Sequence, residues 1–183
     1  MYRSRRIILI SHCILNANSK IRGGALYGDF FMPVIEYLMK QNSGIFQLPC
    51  PEQSFLGEAR WGQSKNQYNT TFYRKHCQST LEPIISQLAD YQKNGYKLLG
   101  VLGISGSPSC GVTYTFQADW GGEVDTYFTN PSMPSGELVN GAGVFMEIFR
   151  ELSDRQGLDL HFEEVKENDL NTTMEVLQNI FIS

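Results

Sequence analysis

Arg6-Ile7-Ile8-Leu9-Ile10-Ser11-His12-Cys13 decides how the rest of the chain is read. Ile7 to Ile10 form a continuous apolar run, the pattern of a strand covered on both faces rather than one with a wet side. The run gives way to Ser11 and His12, and Cys13 stands just beyond the strand end. Basic residues precede the run, as in a secretory leader, but four apolar residues are too few for a leader's apolar region and far below the ~20 of a membrane span. Arg6 to Ser11 is therefore expected as a first, buried strand.

Working outward, Tyr27 to Lys40 carries Phe30, Phe31, Val34, Ile35, Leu38 and Met39 at helical spacing, and Pro33 suits a first helical turn. Ile45 to Leu48 reads as a second short strand, stopped by Pro49-Cys50-Pro51. Glu52 to Cys77 is polar and aromatic without a clear period, so a long functional loop with no more than a short helix is expected. Ser79 to Asn94 is expected as a helix with Leu81, Ile84, Ile85 and Leu88 on one face and Gly95 closing it. Lys97 to Ile104 is a third buried strand, followed by Ser105 to Gly111, which contains Cys110. Gly121 to Gly136 reads as a flexible excursion over the site, Glu137 to Gln156 as a helix ended by Gly157, Leu158 to Val165 as a fourth strand, and Asp169 to Phe181 as a final helix.

Strands alternating with helices predict an α/β fold: one three-layer domain over residues 1–183, a parallel sheet with right-handed crossovers, and helices on both faces. In such sheets ligands bind outside the carboxyl ends of the strands. A chain of 183 residues with 42% hydrophobic and 19% charged residues is long enough to bury a core without metals or disulfides, so any metal is expected to be functional. The chain is expected to fold alone or as a small oligomer. A formal net charge of -4 leaves no basic stripe for a nucleic-acid polymer. No apolar stretch predicts a membrane span, and the absence of a leader predicts a cytoplasmic location.

Four cysteines, Cys13, Cys50, Cys77 and Cys110, are too sparse for a secreted disulfide framework. Cys13, Cys50 and Cys110 each follow a different strand, at the sheet edge where a site should form. Cys50 lies between two prolines and Cys110 in Gly106-Ser107-Pro108-Ser109-Cys110-Gly111, where rigid and small residues fix the backbone. No CxxC pair marks a zinc finger or ferredoxin. Ligation of a metal or cluster, catalysis and plain burial all remain open for these thiols. Cys77 sits on no comparable strand end and reads as a bystander.

Cys13-Ile14-Leu15, Cys50-Pro51-Glu52 and Ser107-Pro108-Ser109-Cys110-Gly111, in this order over about the first two thirds of the chain, resemble the 2-thiouracil desulfurases and their related desulfidases. Where that family continues its first motif with Gly and then Arg-Tyr-Asp-Gly, this chain has Asn16 and Lys20-Ile21-Arg22-Gly23, and Arg60 stands for the arginine after the second motif. The chain is thus similar to a divergent branch. The resemblance implies that Cys13, Cys50 and Cys110 bind a 4Fe-4S cluster with one iron not held by protein, where the sulfur of a small thiolated substrate, thiouracil-like, can bind. Polarising a C=S bond opens its carbon to water, and hydrolysis exchanges sulfur for oxygen with no net redox change.

Such chemistry needs proton handling. Glu52 is the expected general base, with capping of the following segment as its plain alternative. Ser107 and Ser109 are expected to orient water or substrate, although Ser-Pro-Ser is also an ordinary turn. His12 is a candidate donor beside Cys13 or a residue satisfying a local hydrogen bond, and His161 is expected to be structural. Trp61, Tyr68, Tyr114, Phe116 and Trp120 are candidates for a wall against a flat heterocycle, or for core packing. Three rival readings remain: a metal-free nucleoside-processing enzyme with Glu52 as nucleophile, a zinc protein using three cysteines and His12, and a binding module.

Overall fold

The computed structural model describes residues 3–119, 121 and 135–182. Its strands are β1 (Arg6–Ile10), β2 (Gly44–Gln47), β3 (Lys97–Ile104), β4 (Tyr114–Gln117), β5 (Glu137–Asn140) and β6 (Phe162–Val165). Its helices are α1 (His12–Leu15), α2 (Met32–Met39), α3 (Pro51–Leu56), α4 (Lys65–Tyr68), α5 (Thr71–Lys93), α6 (Val144–Gln156) and α7 (Leu170–Ile182). Trp120 and most of the expected excursion between Gly121 and Gly136 lie outside the described residues.

Four strands pair in parallel in the order β2-β1-β3-β6, so the α/β fold expected from the apolar runs is observed. The chain steps from β1 outward to β2, then returns past β1 to β3. This reversal puts consecutive crossovers on opposite faces and opens a crevice at the carboxyl ends of β1 and β3. On one face Ile7, Leu9, Leu98 and Val101 pack against Leu81, Ile85 and Leu88 of α5 and Phe145 and Phe149 of α6. On the other, Ile8, Ile10, Leu99, Leu102 and Ile104 pack against Val34, Ile35 and Leu38 of α2 and Leu177 and Ile180 of α7. The register slips between Ile7 and Ile8, which face Leu98 and Gly100, leaving an extra residue on β3. Gly100 sits there at φ +148°, where a Cβ would come within 2.9 Å of the His161 carbonyl oxygen. His161 is thus a backbone partner of β3, its oxygen accepting from Val101 N at 2.8 Å.

Several expectations change. α5 starts at Thr71, not Ser79, because Tyr73 and Cys77 extend the buried stripe of Leu81, Ile84 and Leu88 backward by whole turns, and the Thr70 hydroxyl caps the Tyr73 amide. The expected loop from Glu52 to Cys77 therefore contains α3, α4 and the first turns of α5. The segment Glu137 to Gln156 is not one helix: β5 pairs antiparallel with β4, and Gly141 and Gly143 separate it from α6. α2 begins at Met32 rather than Tyr27; Tyr27 instead stacks on Phe31, centroids 4.8 Å apart, while Pro33 occupies the first turn as expected. β6 begins at Phe162, not Leu158. Among the described residues no helix is long and apolar enough to cross a membrane.

Candidate cluster and catalytic site

The three strand-end cysteines meet. Cys13 in α1 follows β1, Cys50 follows β2 and caps α3, and Cys110 lies in the loop after β3; all three line one cavity of about 250 Å³. Lys20, Glu52, Arg60, Ser107 and Glu167 line it as well. Local structure holds each cysteine in place. The Cys13 carbonyl accepts from the Tyr27 hydroxyl at 3.0 Å. The Cys50 sulfur accepts from Gln53 N at 3.5 Å, as a residue at this end of a helix does.

Cys110 is held by close packing. Its carbonyl accepts from Ile104 N at 2.9 Å, and its amide donates to the Ser107 hydroxyl oxygen at 2.9 Å. A Cβ on Gly103 would lie 2.3 Å from the Cys110 carbonyl oxygen, and one on Gly143 would lie 2.4 Å from the Ser109 carbonyl carbon, so both glycines are needed where the backbones touch. The first amides of α6 donate into the same loop: Val144 N to the Pro108 carbonyl at 3.0 Å and Phe145 N to the Ser109 carbonyl at 3.1 Å. The helix end that would otherwise carry orphan donors thus secures the cysteine loop.

Burial raises all three thiol pKa values: Cys13 is pushed up to about 12, Cys50 above its usual value and Cys110 well above it. The thiols also raise one another, Cys110 through Cys50 and Cys13, as negative groups gathered in one place do. Lys20 works against the rise at Cys13, and the Ser11 hydroxyl works against it at Cys110. That hydroxyl is buried and has no hydrogen-bond partner of standard geometry among the described residues. A metal centre would convert these reluctant thiols to thiolates by supplying positive charge.

Glu52 is tied into the cavity wall. Its Oε2 accepts from Arg60 Nε at 3.4 Å and from the Tyr68 hydroxyl at 3.2 Å. Arg60, its side chain only 3% exposed, also donates to the Ser19 carbonyl at 2.6 Å and the Gly57 carbonyl at 3.2 Å. Ser107 lines the cavity, and its oxygen accepts from the amides of Cys110 and Ser109, which leaves its proton free to donate. Ser109, expected near the reacting groups, is not brought to the cavity: it is fully buried and its hydroxyl bonds Tyr73 at 2.9 Å. Tyr73 and Tyr68 pack ring to ring at 4.6 Å, so adjacent phenols reach Ser109 and Glu52.

His12 turns away. Its Nδ1 lies 3.1 Å from the Leu48 carbonyl and its Nε2 near Asn16, which is the local satisfaction weighed for it in the sequence. Cys77 is buried in the core beside Tyr73. Tyr114 and Phe116 line a second cavity of about 810 Å³, which shares Ile21, Gly62, Gln63, Ser105, Gly106, Pro108 and Glu167 with the first. Trp61 is exposed, and Tyr68 serves Glu52 instead of forming a wall.

Sequence reasoning missed the ion pair of Lys20 and Glu167, which joins two loops at the cavity. Glu167 stands two residues beyond β6, so the carboxyl-end rule that picked out the cysteines also reaches it. Among the described residues no group of three or more His, Cys, Asp or Glu side chains is placed to hold a metal ion; the three cysteines share the lining of one cavity.

No protein-family model matches the chain. Over 110 residues, 60% of this chain and 70% of the relative, it is 44% identical to the "Uncharacterized protein MJ0003" of Methanocaldococcus jannaschii. A solved structure described as the 4Fe-4S-dependent thiouracil desulfidase TudS aligns over 95% of this chain and 99% of its own, at 15% identity and a TM-score of 0.48.

Proposed function

We propose, for a chain that belongs to the family of the Methanocaldococcus jannaschii protein MJ0003, that it is an iron-sulfur-dependent desulfidase acting on a small thiolated, thiouracil-like substrate. The observation that carries this reading is the single cavity that gathers Cys13, Cys50 and Cys110 with Glu52 and Ser107. Three soft thiol donors around a space, with the fourth cysteine spent in the core, suit a 4Fe-4S cluster that keeps one iron unbound by protein. When bound, the cluster supplies a Lewis-acidic iron with affinity for thiocarbonyl sulfur.

The chain's own side chains do the rest. Glu52, oriented by Arg60 and Tyr68, takes a proton from the attacking water. The Ser107 hydroxyl donates to that water or to the substrate heteroatom. The larger cavity receives the rest of the substrate, with Tyr114 and Phe116 against a flat ring. Water contributes its oxygen to carbon, the C=S bond breaks, and sulfur departs as sulfide with the two protons, so no electron is gained or lost. Ser109 acts at a distance, fixing the Cys110 loop through Tyr73.

The test is anaerobic reconstitution with iron and sulfide, followed by absorption spectra, iron analysis and sulfide release from thiolated pyrimidines. Cys13→Ser, Cys50→Ser and Cys110→Ser should each lose the chromophore, Cys77→Ser should keep it, and Glu52→Gln should keep it while losing sulfide release by on the order of a hundredfold or more. A triple-cysteine variant that still assembles a cluster and releases sulfide sinks the proposal.

A further inference from the structure

Glu164 is a buried carboxylate on β6, the strand beside β3. Its Oε2 accepts from three consecutive backbone amides, Val112 at 2.9 Å, Thr113 at 2.9 Å and Tyr114 at 3.3 Å. Its Oε1 is buried with no partner among the described residues. These amides belong to the turn that starts two residues after Cys110 and ends on the first residue of β4, the strand that lines the larger cavity.

We propose that Glu164 is a positioning residue that sets Cys110 and Tyr114 together, and so fixes the small cavity relative to the large one. Amides in such a turn point to one side and find no strand partner, and an anionic acceptor holds them more strongly than a carbonyl does. The carbonyl side of the turn is secured separately: Gly141 N donates to the Thr113 carbonyl at 2.8 Å, and Arg150 Nη2 lies 3.5 Å from the Val112 carbonyl. Glu164 thus supplies the remaining hold, on the amide side, and does so through a single oxygen. That asymmetry separates geometry from charge. Glu164→Gln can keep an oxygen toward the three amides and place its NH₂ where Oε1 has no partner, whereas Glu164→Ala removes the acceptor altogether.

The inference gives the carboxylate its meaning within the proposed desulfidase, but it is tested on metal-free protein, so its failure and that of the function are separate. Reduced protein is treated with iodoacetamide, alkylation of each cysteine is followed by mass spectrometry, and amide hydrogen exchange is recorded over residues 112–114. Glu164→Ala should raise Cys110 alkylation on the order of tenfold relative to Cys13 and Cys50, with Cys77 still protected, as loss of an ionic acceptor for several amides implies. Glu164→Gln should give a smaller rise, about threefold, and faster exchange confined to residues 112–114. If Glu164→Ala does not fold, the Gln variant alone decides. No change at Cys110 and residues 112–114, or a rise at Cys77 in step with Cys110, overturns the proposal. A parent protein that takes up no iron would remove the desulfidase reading and leave this result intact.

Discussion

Gly103→Ala is the most exacting perturbation of the site, because it adds one methyl group at a calculable place. The new Cβ would stand 2.3 Å from the Cys110 carbonyl oxygen and 2.7 Å from Val112 Cγ2. Ordinary carbon–oxygen contact begins above 3 Å, so the loop must retreat by roughly 1 Å, and Cys110 must move with its carbonyl. The hydrogen bond from Ile104 N to that carbonyl, 2.9 Å long, lies in the same strand and is stretched by the same movement. Overpacking of this kind costs about 1–3 kcal/mol, or about 2–12 °C in melting temperature for a chain of this size. Thermal unfolding of metal-free Gly103→Ala measures the first effect, and iron uptake on reconstitution, expected to fall along with it, measures the second. Gly28→Ala is the control, since nothing lies within 4 Å of its Cβ. A Gly103→Ala protein with parent-like stability and full iron content would refute the claim that close packing on β3 sets the position of Cys110.

Other consequences follow from the charges and thiols. Arg60→Met should cost about 3 kcal/mol in denaturant unfolding by leaving Glu52 in the wall without its cation, and adding Glu52→Gln should recover part of the loss; equal costs for the single and double variants would mean that the pair does not act as one unit. Burial raises Cys13 and Cys77 from an ordinary value of 9.0 to about 12, so between these values the folded chain keeps protons that the unfolded chain has lost. Unfolding free energy of the reduced, metal-free protein should therefore be unaffected by these thiols below about pH 9 and fall as pH rises toward 12, a trend that urea midpoints at successive pH values would reveal and that Cys77→Ala should weaken. Tyr68→Phe removes one of the two contacts on Glu52 Oε2 and should slow sulfide release with little change in iron content; unchanged turnover would remove Tyr68 from the positioning of the base.

Much of the site was legible because topology converts sequence position into place. Once Ile7 to Ile10 and Lys97 to Ile104 are read as buried parallel strands, the residues that follow them are committed to one edge of the sheet, and Cys13, Cys50 and Cys110 arrive there whatever the helices do. Glu52 comes with Cys50 because only one residue separates them. What stayed hidden depends on direction or on distance along the chain. Ser107 and Ser109 read alike, yet the turn sends one into the cavity and the other into the core toward Tyr73. Lys20 and Glu167 meet across 147 positions, and Glu164 reaches back about fifty residues to the turn after Cys110; no local period signals either contact. The β4–β5 pair was overlooked because its second strand runs directly into a helix, with Gly141 and Gly143 as the only break.

The paired phenols of Tyr68 and Tyr73 have a dynamic consequence. One sits at the end of α4 and the other in the first turn of α5, separated by a single capped corner at Thr70, and they lead respectively to the carboxylate of Glu52 and to the loop of Cys110. A displacement of that corner therefore acts on both hydrogen bonds at once, the one to Glu52 and the one to Ser109. A substitution that loosens the corner, such as one that removes the Thr70 hydroxyl from the Tyr73 amide, would disturb both contacts together.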